Sequence, residues 1–180
     1  MLRNLFSSTL LVAMLLILVA GNSFAQTGAQ ATVNASATVL TALSITKNTD
    51  VAFGNVSATT TGPVYVDPKG LALSTFVGAS AAVGTITIAA ANTQSIHLGW
   101  PATVSLTSGA NTLTYTLKVN GFTANTQASS TTLALTGGYC DVTTSGTGGY
   151  YLWIGGNIGT LTTQATGAYT GAATFTVEYN

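Results

Sequence analysis

Charge is what this sequence has least of. Lysine, arginine, aspartate and glutamate make up 4% of its 180 residues, against about 25% in ordinary soluble domains. The basic residues are Arg3, Lys47, Lys69 and Lys118, and the acidic ones are Asp50, Asp67, Asp141 and Glu178. Scattered lysines make no phosphate-tracking stripe, which argues against a nucleic-acid partner. They make no polybasic patch for an anionic membrane either. There is one cysteine, Cys140, so no internal disulfide can form. It reads as a small buried thiol, with an intermolecular pairing as the alternative.

The chemistry-bearing residues are as sparse. The one histidine, His97, lies between Ile96 and Leu98 in an extended run that turns it to solvent. With a single possible base and no nucleophile-elbow sequence, a hydrolytic triad has no support. Zinc needs closely spaced His and Cys, and calcium needs clustered Asp and Asn; neither pattern occurs. No Gly-rich phosphate motif stands between a strand and a helix. The expectation is a protein that is not an enzyme and holds no cofactor or metal.

Helical periodicity is also missing beyond the first 25 residues. Those residues read as a signal peptide: Arg3, an apolar run from Leu10 to Ala20, and a small-x-small site at Ser23-Phe24-Ala25. The run is too short for a membrane span. The expectation is an exported chain beginning near Gln26, passing through a periplasm to the cell surface or beyond, with no membrane insertion in its mature form. Loss of the leader leaves three lysines against four carboxylates, a formal charge of −1. So little charge removes the repulsion that keeps exported proteins apart.

Short runs of Val, Ile, Thr, Leu and aromatics, punctuated by Gly, Asn, Ser and Pro, fill the rest. The pattern predicts one all-β antiparallel sandwich over residues 43–180. Strands are expected at 31–46, 51–56, 63–67, 71–77, 84–90, 95–98, 103–107, 111–120, 131–136, 150–155, 158–163 and 169–179. Asp67-Pro68-Lys69-Gly70 fits a type I turn, and Ser108-Gly109-Ala110-Asn111 a hairpin turn. Trp100, Tyr150, Tyr151 and Trp153 read as core or cross-strand packing, with a sugar-stacking face as the alternative. Thr-x-Thr pairs recur without a fixed period, which argues against a flat repeat array.

The two ends carry the sharpest pattern. Tyr169, Ala173, Phe175, Val177 and Tyr179 alternate with Thr170, Thr174, Thr176 and Glu178, as a strand with one buried face requires. Near the other end, Ala31, Val33, Ala35, Ala37 and Val39 alternate with Thr32, Asn34, Ser36 and Thr38. Residues 26–42 are therefore expected to form an extended segment that completes a sandwich, its own or a neighbour's.

These features resemble known families. The terminal strand, with Gly167 fourteenth and Tyr179 second from the end, looks like the C-terminal motif of chaperone–usher pilins. More broadly, Leu43-Ser44-Ile45-Thr46-Lys47, Phe53-Gly54-Asn55-Val56, Ile154-Gly155-Gly156 and Gly167-Ala168-Tyr169-Thr170-Gly171 are similar to the exported domain-of-unknown-function 4402 family. The resemblance implies an immunoglobulin-like sandwich related to pilin and spore-coat-U subunits. It also implies donor strand exchange, in which one subunit's N-terminal extension fills the next subunit's groove. The donor would be Ala31, Val33, Ala35, Ala37 and Val39, and the groove would be bordered by Gly167, Tyr169, Phe175, Val177 and Tyr179. Like or related subunits are the expected partners, with an export chaperone to cover the open groove. The alternative is a self-complemented adhesion module that binds a glycan through Trp100 or Trp153.

Overall fold

The computed structural model describes residues 30–70 and 76–180. The expected leader lies outside the described residues, as do residues 71–75 of the expected strand 71–77. The chain divides into two units, residues 1–38 and 39–180. Of the first, residues 30–38 carry no regular secondary structure and are exposed.

The described residues of the second unit form ten strands: β1 (Ser44–Thr49), β2 (Val64–Val66), β3 (Gly84–Ala89), β4 (Ser95–Gly99), β5 (Thr103–Ser108), β6 (Asn111–Phe122), β7 (Thr131–Thr132), β8 (Cys140–Thr143), β9 (Gly149–Gly159) and β10 (Thr176–Tyr179). One 3-10 turn, Gln127–Ser129, is the only helical element among the described residues. No helix among them is long and apolar enough to cross a membrane.

All named pairings are antiparallel. The larger sheet runs β1-β3-β9-β6-β5, with β2 added to β9 and β7 to β6. The smaller runs β10-β4-β8. Period-two patterning explains how they pack. Ile86 and Ile88 of β3, Val119 of β6, and Tyr150, Leu152 and Ile154 of β9 face one way from the larger sheet. They bury against Ile96 and Leu98 of β4. The result is a β-sandwich, as the sequence pattern predicts.

The expected turn after β2 is present: the Gly70 amide donates to the Asp67 carbonyl at 2.9 Å, and Gly70 takes φ +71°. The hairpin at Ser108–Asn111 joins β5 to β6. Several expectations differ, among them strands 131–136 and 169–179, which are regular only at Thr131–Thr132 and Thr176–Tyr179. Residues 51–56 form only an isolated bridge, Ala52 to Ala82, rather than a strand. The expected strand 150–155 and the start of 158–163 are one strand, β9, because Gly155 and Gly156 carry it past the carbonyls of Val66 and Thr116 without a side chain to obstruct them; residues 160–163 lie outside it. β8 was not expected; it is four residues long and flanked by glycines, so its alternation is brief.

Candidate functional site

The smaller sheet covers only part of the larger one. Beyond it lies an apolar trough of about 970 Å³. Its floor is the inner face of the larger sheet: Ile86, Ile154, Leu117, Tyr115, Leu113 and Leu106. One wall is β1 and the following residues to Ala58; the other is Gln164 to Phe175.

Each wall has a physical cause. β1 is held on one side only, by β3, and all six of its residues are exposed. Its register shifts between Lys47 and Thr49, and Lys47 pairs with Asp50 at 2.8 Å. A bulge and an edge lysine are the devices by which strands refuse further pairing. Opposite, the Thr170 carbonyl accepts from the Thr107 amide at 2.8 Å, tying that segment to β5. Gly167 and Gly171 permit the approach: a Cβ on Gly171 would stand 2.7 Å from the Ser105 carbonyl oxygen. Tyr169 stiffens the same segment, its hydroxyl donating to Ala165 and accepting from Gln164.

From there the chain enters β10, whose only strand partner among the described residues is β4. The Asn180 amide donates to the Ser95 carbonyl at 3.2 Å. Antiparallel alternation then turns the backbone groups of Val177 and Tyr179 away from β4, toward the open side. The terminal alternation holds over its whole length: Tyr169, Ala173, Phe175, Val177 and Tyr179 are half-buried, and the intervening Thr170, Thr174, Thr176 and Glu178 are exposed.

Of the residues expected at the groove, Gly167, Tyr169 and Phe175 line the trough. Val177 and Tyr179 pack against the core cluster beyond its end. Ala31, Val33, Ala35, Ala37 and Val39 are exposed, with Val33 at 89% and Val39 at 93%, and the expected strand 31–46 is regular only from Ser44. The trough also takes in residues that sequence reasoning did not assign to a groove, among them Val51, Phe53 and Tyr115. Phe53 meets the Tyr115 ring edge-on at 5.4 Å, and the Tyr115 hydroxyl donates to Gly155 at 2.7 Å. Burial holds that phenol far above its usual range. The signal for Phe53 was its apolar run, read as a strand rather than as a wall.

The aromatic residues weighed as a sugar face are engaged elsewhere. Tyr150 and Trp153 are buried, and Trp100 stacks on Phe175. His97 is half-buried rather than free: its Nδ1 contacts the Asp141 carboxylate on the neighbouring strand. That contact joins residues 44 positions apart, which no local pattern reveals. Among the described residues no group of three His, Cys, Asp or Glu side chains is placed to hold a metal ion. Cys140 is a free, half-buried thiol, raised above its usual pKa chiefly by burial.

The family model described as "Domain of unknown function (DUF4402)" matches residues 43–179. No curated protein matches the chain.

Proposed function

Since this chain belongs to the DUF4402 family, whose description carries no activity, we propose its role from the trough: it is an exported structural subunit of a surface filament or coat that assembles by β-strand addition. The occupant is the Ala31–Val39 segment of a second copy. One observation carries the reading: an apolar trough whose wall, Gln164 to Phe175, runs directly into β10, a strand that among the described residues has β4 on one side and no neighbour on the other.

The chemistry of the two parts agrees. An extended ribbon gains main-chain hydrogen bonds along the edge, and alternate side chains fill the floor. Ala31, Val33, Ala35, Ala37 and Val39 form one face of such a ribbon, and residues 26–40 contain no charged side chain. Each valine contributes about 2 kcal/mol on burial. Each backbone bond adds about 1 kcal/mol, so an alanine-rich ribbon depends mainly on its ladder. The kinship with pilin-like subunits, and a chaperone that shields the trough during export, belong to this proposal.

The test compares the chain beginning at Gln26 with a variant lacking residues 26–40, by size exclusion with light scattering. The expected result is oligomers for the former. The variant should stay monomeric and should capture a synthetic peptide of residues 30–40. A monomeric full-length chain, together with a deletion variant that folds equally well and takes up no peptide, refutes the proposal.

A further inference from the structure

The walls of the trough meet at both ends, and the two closures are unequal. At the far end the Gln164 amide donates to Ala58 at 2.9 Å, the Thr60 amide to Leu161 at 2.8 Å, and the Leu161 amide to the Thr60 hydroxyl at 2.8 Å. Beyond the near end, past Ile45 and Phe175, one phenol links the two sides. The Tyr179 hydroxyl accepts from the Ala91 amide at 2.6 Å and donates to the Thr41 carbonyl at 2.8 Å.

Thr41 stands just before β1, where Leu43 packs against the core cluster. Tyr179 therefore fixes the point at which the chain enters the wall of the trough. A ribbon of the same chain can lie in its own trough only by reversing between Val39 and Leu43. The tightest reversals, two-residue hairpins, favour residues that take positive φ, chiefly Gly, Asn and Asp. Val39-Leu40-Thr41-Ala42-Leu43 has none of these, and two of its members are β-branched. A turn centred on Thr41 would have to give up the bond that holds its carbonyl.

We infer that the Tyr179 hydroxyl is a latch which, by pinning Thr41, makes strand addition intermolecular. Tyr179 acts through the path of the chain rather than by touching the incoming ribbon, so it is a positioning residue. This inference rests on the strand-addition reading. It adds what decides between a closed monomer and a polymer: one side-chain hydroxyl at the far end of the sequence.

The experiment uses the full chain from Gln26 with a diazirine-bearing leucine analogue in place of Val33. Copies labelled with 14N and with 15N are mixed during refolding, and the crosslinked peptides are read by mass spectrometry. In the wild-type background, crosslinks from position 33 to trough residues should be of mixed isotope. In Tyr179→Phe they should become mainly same-isotope, and the monomer fraction should rise several-fold. Its thermal midpoint should stay within a few degrees, which a merely structural role for Tyr179 would not allow. An Asn-Gly insertion between Leu40 and Thr41 supplies the missing reversal without touching Tyr179, and should produce the same shift.

Mixed-isotope products in both variants, or same-isotope products in the wild type, overturn the latch and leave strand addition standing. No crosslink from position 33 to any trough residue in the wild-type background overturns both.

Discussion

The rings of Trp100 and Phe175 stack with centroids 6.2 Å apart and planes 23° from parallel. Trp100 directly follows β4 and Phe175 directly precedes β10, so the stack stands where the smaller sheet meets the trough. A ribbon laid along β10 covers Phe175 and dries the tryptophan behind it. Trp153, 4% exposed, is buried whether or not the trough is filled. Adding the 30–40 peptide to a full chain disabled by Val33→Asp and Val39→Asp should therefore shift tryptophan emission to the blue. Trp100→Phe should abolish that shift while the peptide still binds. Peptide binding without any change in emission would show that the ribbon lies elsewhere.

Salt dependence gives a second check. Residues 26–40 carry no charged side chain, and the charged residues at the trough, Lys47 and Asp50, already pair with each other. Assembly driven by a backbone ladder and apolar burial gains nothing from long-range attraction. The oligomer distribution should stay nearly constant from about 0.05 M to about 1 M sodium chloride, a range over which the Debye length falls several-fold. A steep loss of oligomers across that range would point to an ionic interface.

Much of this architecture is written in period two. The parity of Tyr169 through Tyr179 predicts which side chains turn inward, and each of them does. Hydrophobic alternation also finds β3, β4, β5 and β6 close to their observed bounds. The trough itself is harder to read, because it arises from segments that do not pair. Residues 51–56 have strand-like composition but reach only one bridge partner, and so become a wall. The Tyr179–Thr41 bond spans 138 positions, and no local signal announces it. Periodicity says which face of a strand is buried; it does not say which edge is left without a neighbour.

Gly171 offers a test of how tightly the second wall is set. A Cβ there meets the Ser105 carbonyl oxygen at 2.7 Å and Leu106 Cδ2 at 2.9 Å. Backbone cannot yield as a flexible side chain does, so Gly171→Ala should push the segment off β5. The expected cost is about 1–3 kcal/mol, typical of overpacking. It should appear as a lower urea midpoint with an unchanged slope. Gly109→Ala, at a hairpin glycine with φ +58° and nothing within 4 Å, is the contrasting control: backbone strain without a clash, and a cost of about 1 kcal/mol. Equal losses at the two sites would mean that the wall is not packed against β5 as described.

Alkaline unfolding supplies the last prediction. Burial, and then the neighbouring Cys140, push the Tyr150 phenol from 10.0 to about 12. Burial raises the Tyr115 phenol further still. In both cases the folded state holds its proton more tightly than the unfolded chain does. The stabilisation is complete below pH 10, where both states are protonated. Above pH 10 the unfolded phenols ionise first, so stability falls as pH rises, continuing to about pH 12 for Tyr150. The urea midpoint should therefore begin a gentle fall near pH 9, where the unfolded Cys140 thiol ionises before the folded one, and then drop steeply above pH 10 in step with the rise of tyrosinate absorbance. Tyr150→Phe should begin from a similar neutral midpoint, since its hydroxyl bonds to no group among the described residues, and should lose less of it above pH 10. Tyr115→Phe gives up the bond to Gly155 and should start lower by about 1 kcal/mol, with a shallower alkaline fall. If both variants track the wild type through the alkaline range, the two phenols are not the groups that titrate on unfolding, and the dry floor assigned to Tyr115 is wrong.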